Sequence, residues 1–140
     1  MTAMSNSDFG KYVLELALKA PPFKPSATYD GDGDCIEFIA SPEVYRAERL
    51  DDLVTVYYGQ ETGKIVGSLI KGISRFREQM RDKIPGFIIE IEDGPVKLVH
   101  IFLAKLWITH PDADKIVTLA YRKLIEIADA TGVEAELTGV

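Results

Sequence analysis

The stretch LDDLVTVYYGQETGKIVGSLIKGIS, residues 50–74, predicts a β-hairpin and with it the class of the fold. Residues 53–58 and 64–71 are both rich in apolar and β-branched side chains, which favours strands. The turn between them contains Gly63, which can adopt the positive φ that hairpin turns require. Both segments place apolar side chains on two faces, as is typical of central strands covered on both sides. We therefore expect two antiparallel strands in the middle of a sheet.

Two further strands are predicted before this hairpin, over residues 34–40 and 44–50. The connections are only a few residues long, too short for the crossover that a parallel pair needs. Successive strands are therefore expected to be antiparallel neighbours in a meander. The charged segment EVYRAERLDD, residues 43–52, should lie at an edge or face water. Residues 21–33 hold three prolines and two glycines, so a linker or long loop is expected there.

An amphipathic helix is predicted at the N-terminus, ahead of that linker. Residues 5–8 offer several side chains that can cap a helix, and Pro21 and Pro22 end it. Between them, apolar residues recur at spacings of three and four, the pattern of a helix with one apolar face. That face consists of Phe9, Tyr12, Val13, Leu16 and Ala17.

Helical spacing returns after Gly72 and again after His110. The first of these helices has an apolar face of Ile73, Phe76, Met80 and Ile84. The second is expected to end at Gly132, because glycine readily takes the conformation that stops a helix. Its apolar face consists of Ile116, Leu119, Ala120, Leu124, Ile127 and Ala128.

Residues 87–108 admit two interpretations. The alternation of apolar residues over 87–91 is typical of a strand, whereas Asp93 followed by Pro95 favours the start of a helix. We predict a strand and then a helix, with a hairpin as the alternative.

Together these patterns predict a single α+β domain. Residues 1–27 form a helix and linker, residues 28–72 an antiparallel β-meander of four to five strands, and residues 73–140 a mainly helical part with two to three C-terminal helices. A chain of 140 residues can bury roughly two thirds of its unfolded surface, enough for a core of its own.

The composition of the chain argues against two classes of function, nucleic-acid binding and membrane insertion. The net charge of −6, from 22 acidic and 16 basic residues, argues against a nucleic-acid partner, because such proteins concentrate lysine and arginine. The apolar-rich residues 96–108 include three basic side chains and fall short of the roughly 20 residues that span a membrane. Cys35 is the only cysteine and residues 1–8 do not resemble a signal peptide, so we expect a cytoplasmic protein without a membrane partner.

The acidic turn DGDGDC suggests a metal site. Asp30, Asp32 and Asp34 occupy alternate positions, like the first ligands of a calcium-binding loop. The sixth position is Cys35 instead of glycine and the twelfth is Ser41 instead of glutamate. We therefore favour a turn before a strand, since aspartate and glycine supply turn conformations.

A second group of metal candidates surrounds Pro111. His110, Asp112 and Asp114 combine imidazole and carboxylate, which suit zinc or manganese. Helix capping accounts for them more simply, because acidic residues in a first turn interact favourably with the helix dipole. Neither group of candidates leads us to predict a bound cofactor.

Two segments, residues 28–41 and 50–74, resemble the bacterial family known as domain of unknown function 2283. Its members carry a Tyr-Asp pair, a spaced aspartate before an apolar strand and a Gly-x-Ile-Val-Gly hairpin. This chain differs at Gly59 and Ser68, where the family usually has aspartate and glutamate. The resemblance implies a small antiparallel β unit of bacterial origin with no established activity. The matching positions are Tyr29, Asp30, Asp34, Ile36, Phe38, Gly63, Ile65, Val66 and Gly67.

Two other features have structural explanations. Cys35 is expected in a strand, where a thiol behaves as a small hydrophobe. The basic residues over 71–83 could contact phosphate, but Glu78 and Asp82 lie among them, so a solvated helix face is expected.

The helix over residues 96–108 is apolar around much of its circumference. Such a helix is buried either in its own core or against another subunit, and we expect the second, as a twofold homodimer. The leading interpretation is a non-catalytic protein-interaction or self-associating domain. A small metal-dependent or small-molecule enzyme and a nucleic-acid-linked regulator are the alternatives. The predicted interaction residues are Ile101, Phe102, Trp107 and Ile108.

Overall fold

The computed structural model describes residues 8–12, 14, 23–83, 95–109 and 115–137, and has the predicted α+β architecture. Residues 8–12 and 14 are helical and are called α1. One antiparallel sheet contains β1 (Ser26–Asp30), β2 (Cys35–Ile39), β3 (Tyr45–Arg49), β4 (Val54–Gly59) and β5 (Ile65–Lys71). The later elements are α2 (Ile73–Lys83), β6 (Pro95–Lys97), α3 (Leu98–Thr109), α4 (Lys115–Thr131) and β7 (Glu134–Glu136).

The strand order is β1-β2-β5-β4-β3, so the predicted simple meander is wrong at one connection. Strands β3, β4 and β5 do form a meander, but β5 also pairs with β2, which makes a Greek-key arrangement. The chain from Ile39 to Tyr45 takes six Cα steps, up to about 20 Å when extended. Three strand spacings measure only about 15 Å. A connection of this length can therefore pass the ends of two intervening strands.

The predicted linker over residues 21–33 is wrong in its second half, because Ser26–Asp30 form β1 at one edge of the sheet. Ala27 and Tyr29 pack against the core, while Ser26, Thr28 and Asp30 are exposed. Pro25 immediately precedes this strand, and a proline at the beginning of an edge strand costs no hydrogen bond of the ladder.

The central hairpin is confirmed. Gly63 has a φ of 70°, and its N–H donates to the carbonyl oxygen of Gly59 at 2.9 Å. Strand β5 has a neighbour on each side, as predicted for a central strand. The charged strand β3 is the opposite edge, with all five residues exposed.

One apolar core joins the inner face of the sheet to α2, α3 and α4. Phe102 of α3 lies at its centre, with its ring centroid 6.4 Å from those of Phe38 and Tyr121. The fully buried side chains with the largest volume include Ile36, Ile70, Ile73, Met80, Leu98, Ile101 and Leu124.

Among the described helices, none is both long and apolar enough to cross a membrane.

A small second sheet follows residues 84–94, which lie outside the described residues and include the predicted strand over 87–91. Residues Pro95–Lys97 form β6 instead of the predicted first helical turn, because they pair with β7. The N–H of Leu98 also donates to the carbonyl oxygen of Val133 at 3.1 Å. These contacts fix the beginning of α3 next to the end of α4.

The predicted apolar face of α4 is partly wrong. Ala120, Leu124 and Ala128 are buried as expected, but Ile116 and Leu119 are mostly exposed. Tyr121 is fully buried instead, because its hydroxyl has a hydrogen-bond partner at the edge of the core. The end of α4 is as predicted, since Gly132 follows it with a φ of 63°.

Gly67 allows β2 and β5 to lie side by side. A Cβ on Gly67 would overlap the backbone carbonyl oxygen of Phe38, which is held between paired strands. We expect Gly67→Ala to lower the free energy of unfolding by about 2–3 kcal/mol, as overpacking in a core does. The control Gly31→Ala meets only ordinary contact with the Tyr29 ring and should stay within about 0.5 kcal/mol. Urea unfolding checks both variants, and equal stabilities would contradict this packing.

Candidate functional site

Asp34, one of the predicted metal candidates, organises the beginning of α2. Its carboxylate accepts the Ser74 N–H at 3.1 Å, the Ser74 hydroxyl at 2.8 Å and the Tyr29 hydroxyl at 3.1 Å. Its backbone carbonyl oxygen accepts the N–H groups of Gly72 at 3.0 Å and Ile73 at 3.2 Å. Five protein donor groups therefore converge on Asp34, which caps α2 from a distant turn.

Asp30 shapes the same turn. Its carboxylate accepts the N–H of Asp32 at 3.1 Å, an Asx-turn geometry, and Asp32 is exposed. The second predicted group, residues 110–114, lies outside the described residues. Within the parts of the chain that the structure describes, no three histidine, cysteine, aspartate or glutamate side chains are grouped so as to hold a metal ion.

A second pair of acids, at the turn between β3 and β4, links the sheet to the helices. The Asp51 carboxylate accepts the N–H groups of Leu53 at 2.9 Å and Val54 at 2.8 Å. Its other oxygen accepts the hydroxyl of Tyr121 at 2.5 Å. Burial, reinforced by Asp51, raises the pKa of Tyr121, so the phenol remains protonated and donates. This contact connects the sheet to α4.

Asp52 makes the matching connection to α3. Its carboxylate lies 2.9 Å from Nζ of Lys105, whose side chain is only 8% exposed, whereas that of Asp52 is 76% exposed. The hydrogen bond from Lys105 lowers the pKa of Asp52, which keeps the carboxylate ionised. Lys105 thus buries its aliphatic stem in the protein and directs its charge to a hydrated partner.

A polar cleft of about 420 Å³ lies between these two acidic turns. The Ser74 hydroxyl in this cleft donates to Asp34, but the described lining includes no histidine that could activate it as a nucleophile. Two residues lining the cleft, Asp34 and Asp52, contact α2 and α3 respectively. Its lining consists of Asp34, Asp52, Lys71, Gly72, Ser74, Arg75 and Glu78.

Cys35 has the character of a structural thiol. It is half-buried, and burial together with the charge of Asp30 raises its pKa. A reactive cysteine needs the opposite shift, because the thiolate is the nucleophile.

The basic residues of α2 do not form a surface of one sign. Arg75, Arg81 and Lys83 are exposed, but so are Glu78 and Asp82 on the same helix. This mixture matches the solvated face that the sequence predicts.

The apolar residues of α3 lie on two sides of the helix, one buried in the core and one exposed. Ile101 and Phe102 are buried inside the protomer, so they are core residues and not the partner-contacting residues that were predicted. Ile108 is half-buried and packs against the core. Trp107 is 72% exposed, and Leu103, one turn earlier, is 47% exposed. We call Leu103 and Trp107 the α3 stripe.

A separate apolar depression, the α4 groove, lies between α4 and the β4–β5 hairpin. Its volume is about 660 Å³. The sequence did not indicate it, because spacing alone placed Ile116 and Leu119 in the core. The α4 groove is lined by Tyr58, Gly63, Lys64, Ile65, Ile116, Leu119, Ala120, Lys123, Glu126 and Ile127.

Sequence reasoning also missed the two contacts made by the turn between β3 and β4, Asp51 with Tyr121 and Asp52 with Lys105. A lysine within an otherwise apolar helix was the available signal, because a buried charge needs a partner. The partner lies 53 positions away along the chain, and the partner of Tyr121 lies 70 positions away. Local patterns do not carry such pairings.

Because Asp34 caps α2, substitutions of Asp34 and Asp32 in the acidic turn should differ in their effect on the free energy of unfolding. Asp34→Ala should lower the free energy of unfolding by about 1–2 kcal/mol, because it removes the cap of α2. The control Asp32→Ala, at an exposed position, should change it by less than about 0.5 kcal/mol. Thermal unfolding with and without calcium checks both variants. A wild-type protein that calcium stabilises, with loss of that effect in Asp34→Ala, would favour the metal interpretation instead.

The chain matches no family model, and no curated protein or solved structure shows significant similarity to it. The resemblance over residues 28–74 stays a prediction.

Proposed function

We propose that this protein is a non-catalytic protein-interaction domain that self-associates as a twofold homodimer through the α3 stripe. The observation that carries the proposal is the 72% exposure of Trp107 on a regular helix. Burying a large apolar side chain contributes about 2–3 kcal/mol, so an exposed tryptophan is a strong potential contact. Tryptophan is also among the residues most enriched at the energetic centres of interfaces.

The α3 stripe can pair with itself. Leu103 and Trp107 are four residues apart, so they are neighbours on the helix surface. A twofold axis between antiparallel copies of α3 would place each Trp107 against the Leu103 of the other copy, so that both exposed apolar side chains are buried in one contact. The opposite side of α3 is fixed in the core through Ile101 and Phe102. The stripe is therefore presented by an ordered element, which reduces the entropy lost on association.

Further contacts must surround the stripe. Stable interfaces bury about 800 Å² on each partner, more than two side chains supply. We expect Trp107 to form the centre and neighbouring polar residues to form a rim of weaker contacts. A different protein with an apolar helix face could use the same surface.

The proposal includes a bacterial, cytoplasmic setting. Cys35 is the only cysteine, which suits a reducing compartment, and the resemblance over residues 28–74 implies bacterial origin.

The two alternatives have less support. Asp34, the central residue of the proposed metal turn, already accepts hydrogen bonds from Tyr29 and Ser74. The basic residues of α2 alternate with acidic ones, which weakens any attraction for a phosphate backbone.

Self-association is tested by light scattering after size-exclusion chromatography. The wild-type protein should have twice the protomer mass at micromolar concentration, and Trp107→Ser should have the protomer mass. Leu119→Ser is the matched control, because it removes another exposed apolar side chain, on α4, and should leave the dimer intact.

Fluorescence gives an independent measurement, because Trp107 is the only tryptophan in the chain. Its emission should move to shorter wavelength as the protein concentration rises and the indole leaves water. A wild-type protein that stays monomeric at high micromolar concentration with unchanged emission would refute the proposal, as would loss of the dimer in Leu119→Ser alone.

A further inference from the structure

We infer that the edge strand β3 is a second self-association surface, at which two copies of the chain pair antiparallel about a twofold axis through Ala47. All five residues of Tyr45–Arg49 are exposed, and within the described part of the chain β3 has a paired strand only on the β4 side. An edge strand of this kind presents backbone N–H and C=O groups with which another strand can pair. Backbone geometry and charge both identify that strand as a second copy of β3.

The hydrogen bonds to β4 determine which backbone groups of β3 face the free edge. The carbonyl oxygen of Val44 accepts an N–H group from the residue after β4 at 2.8 Å, and the N–H of Leu50 donates to the first residue of β4 at 2.9 Å. Along an antiparallel strand, residues that bond to one neighbour alternate with residues that point away from it. The N–H and C=O groups of Tyr45, Ala47 and Arg49 therefore point away from the sheet.

A twofold axis through Ala47 uses all of these outward groups. The axis places Ala47 opposite its own copy, and it places Tyr45 opposite Arg49 of the other copy in two symmetric positions. Each of these three opposed pairs exchanges two backbone hydrogen bonds, about six in total. The methyl side chain of Ala47 also leaves room at the axis, where two copies of one residue meet.

The charges of Arg46 and Glu48 select this register. With the axis at Ala47, each Arg46 lies opposite Glu48 of the other copy. Opposite charges at directly opposed positions stabilise a pair of strands, and like charges destabilise it. An axis through Arg46 would oppose two guanidinium groups, and an axis through Glu48 would oppose two carboxylates. Of these three registers, the one centred on Ala47 is the one that pairs opposite charges.

Charged residues on an edge strand often prevent pairing. They do so where like charges meet. In β3 the two residues that flank Ala47 have opposite signs, and a twofold axis between them turns this arrangement into attraction. The charge of this edge therefore discriminates between partners, since it favours a second copy in one register and disfavours the neighbouring registers.

The side chains of β3 are already placed for this contact. Arg46 and Glu48 form an ion pair along the strand, and both side chains are 54% exposed. In the paired strands, two such ion pairs would lie side by side, with each carboxylate between two guanidinium groups. On the other face, Tyr45 stacks on Tyr57 with ring centroids 4.1 Å apart. Arg49 of the other copy would approach that ring, because cations favour aromatic faces.

The β3 contact is a weak one. Stable interfaces bury at least about 1,200 Å² in total, more than five residues of strand from each copy supply. We therefore expect association at roughly millimolar concentration. The contact does not depend on the proposed dimer, because the α3 stripe lies on a different element. Where both contacts form, β3 would join α3 dimers into larger assemblies at high concentration.

Charge reversal tests the register. In a Trp107→Ser background, which removes the centre of the α3 stripe, Arg46→Glu and Glu48→Arg each place like charges opposite one another when a variant pairs with itself. An equimolar mixture of the two variants restores opposite charges at both positions. We expect the mixture to associate at least about tenfold more tightly than either variant alone. Sedimentation velocity up to about 1 mM protein measures this difference.

The same charge changes on α2 provide the matched control. Arg75 and Glu78 are both exposed, and Arg75→Glu and Glu78→Arg give the same net charges as the two β3 variants. A mixture of these α2 variants, in the same background, should associate no more tightly than each of them alone. This control separates a register-specific contact from a general effect of net charge.

Backbone pairing is tested at Ala47. Ala47→Pro removes an N–H group that faces the free edge, a position at which an edge strand tolerates proline. The variant should weaken association at least about tenfold, because a hydrogen bond on each side of the axis is lost. Hydrogen exchange of the unsubstituted strand gives a second measurement. Amides of Tyr45, Ala47 and Arg49 should become protected as concentration rises, whereas those of Arg46 and Glu48 should be protected throughout.

Three outcomes would overturn the inference. They are a Trp107→Ser protein that keeps the protomer mass up to about 1 mM, a mixture of the β3 variants that associates no more tightly than its components, and association that Ala47→Pro leaves unchanged. Failure of the proposed α3 dimer is a separate result, because the wild-type protein would then be monomeric at micromolar concentration while the β3 variants still distinguish the register.

Discussion

The turn between β3 and β4 is the constraint on which the arrangement of sheet and helices depends. Two adjacent carboxylates of this turn contact different helices. Asp51 accepts a hydrogen bond from Tyr121 of α4, and Asp52 accepts one from Lys105 of α3. Apolar packing is strong but not directional, so it does not by itself fix how a helix is placed on a sheet. Two directional contacts from one short turn restrict that placement, and at the fully buried Tyr121 a hydroxyl without its acceptor would be costly.

Two other acidic residues have similar structural roles. Asp34 caps α2, and Glu43 accepts the N–H groups of Glu61 and Thr62 to hold the central hairpin. A Cβ on Gly59 would overlap the end of the Glu43 side chain, so a larger residue there would require that carboxylate to move.

Local signals predicted local structure well. Gly63 marked the central hairpin, charge marked β3 as an edge, and spacing marked the buried face of α2. Three-residue strands such as β6 and β7 have too few residues to show a period, and the Greek-key order depends on pairing between distant segments. Spacing also could not predict that Tyr121 is buried and Ile116 exposed, because burial of the tyrosine depends on a distant carboxylate that accepts a hydrogen bond from its hydroxyl.

The most direct test of this account is a double-mutant cycle between Asp51→Ala and Tyr121→Phe, measured as free energies of unfolding in urea. If the turn holds α4 through this hydrogen bond, the two losses should be non-additive, with a coupling of about 1–2 kcal/mol. Losses that add within about 0.3–0.5 kcal/mol would show that the two side chains act independently and would contradict the account.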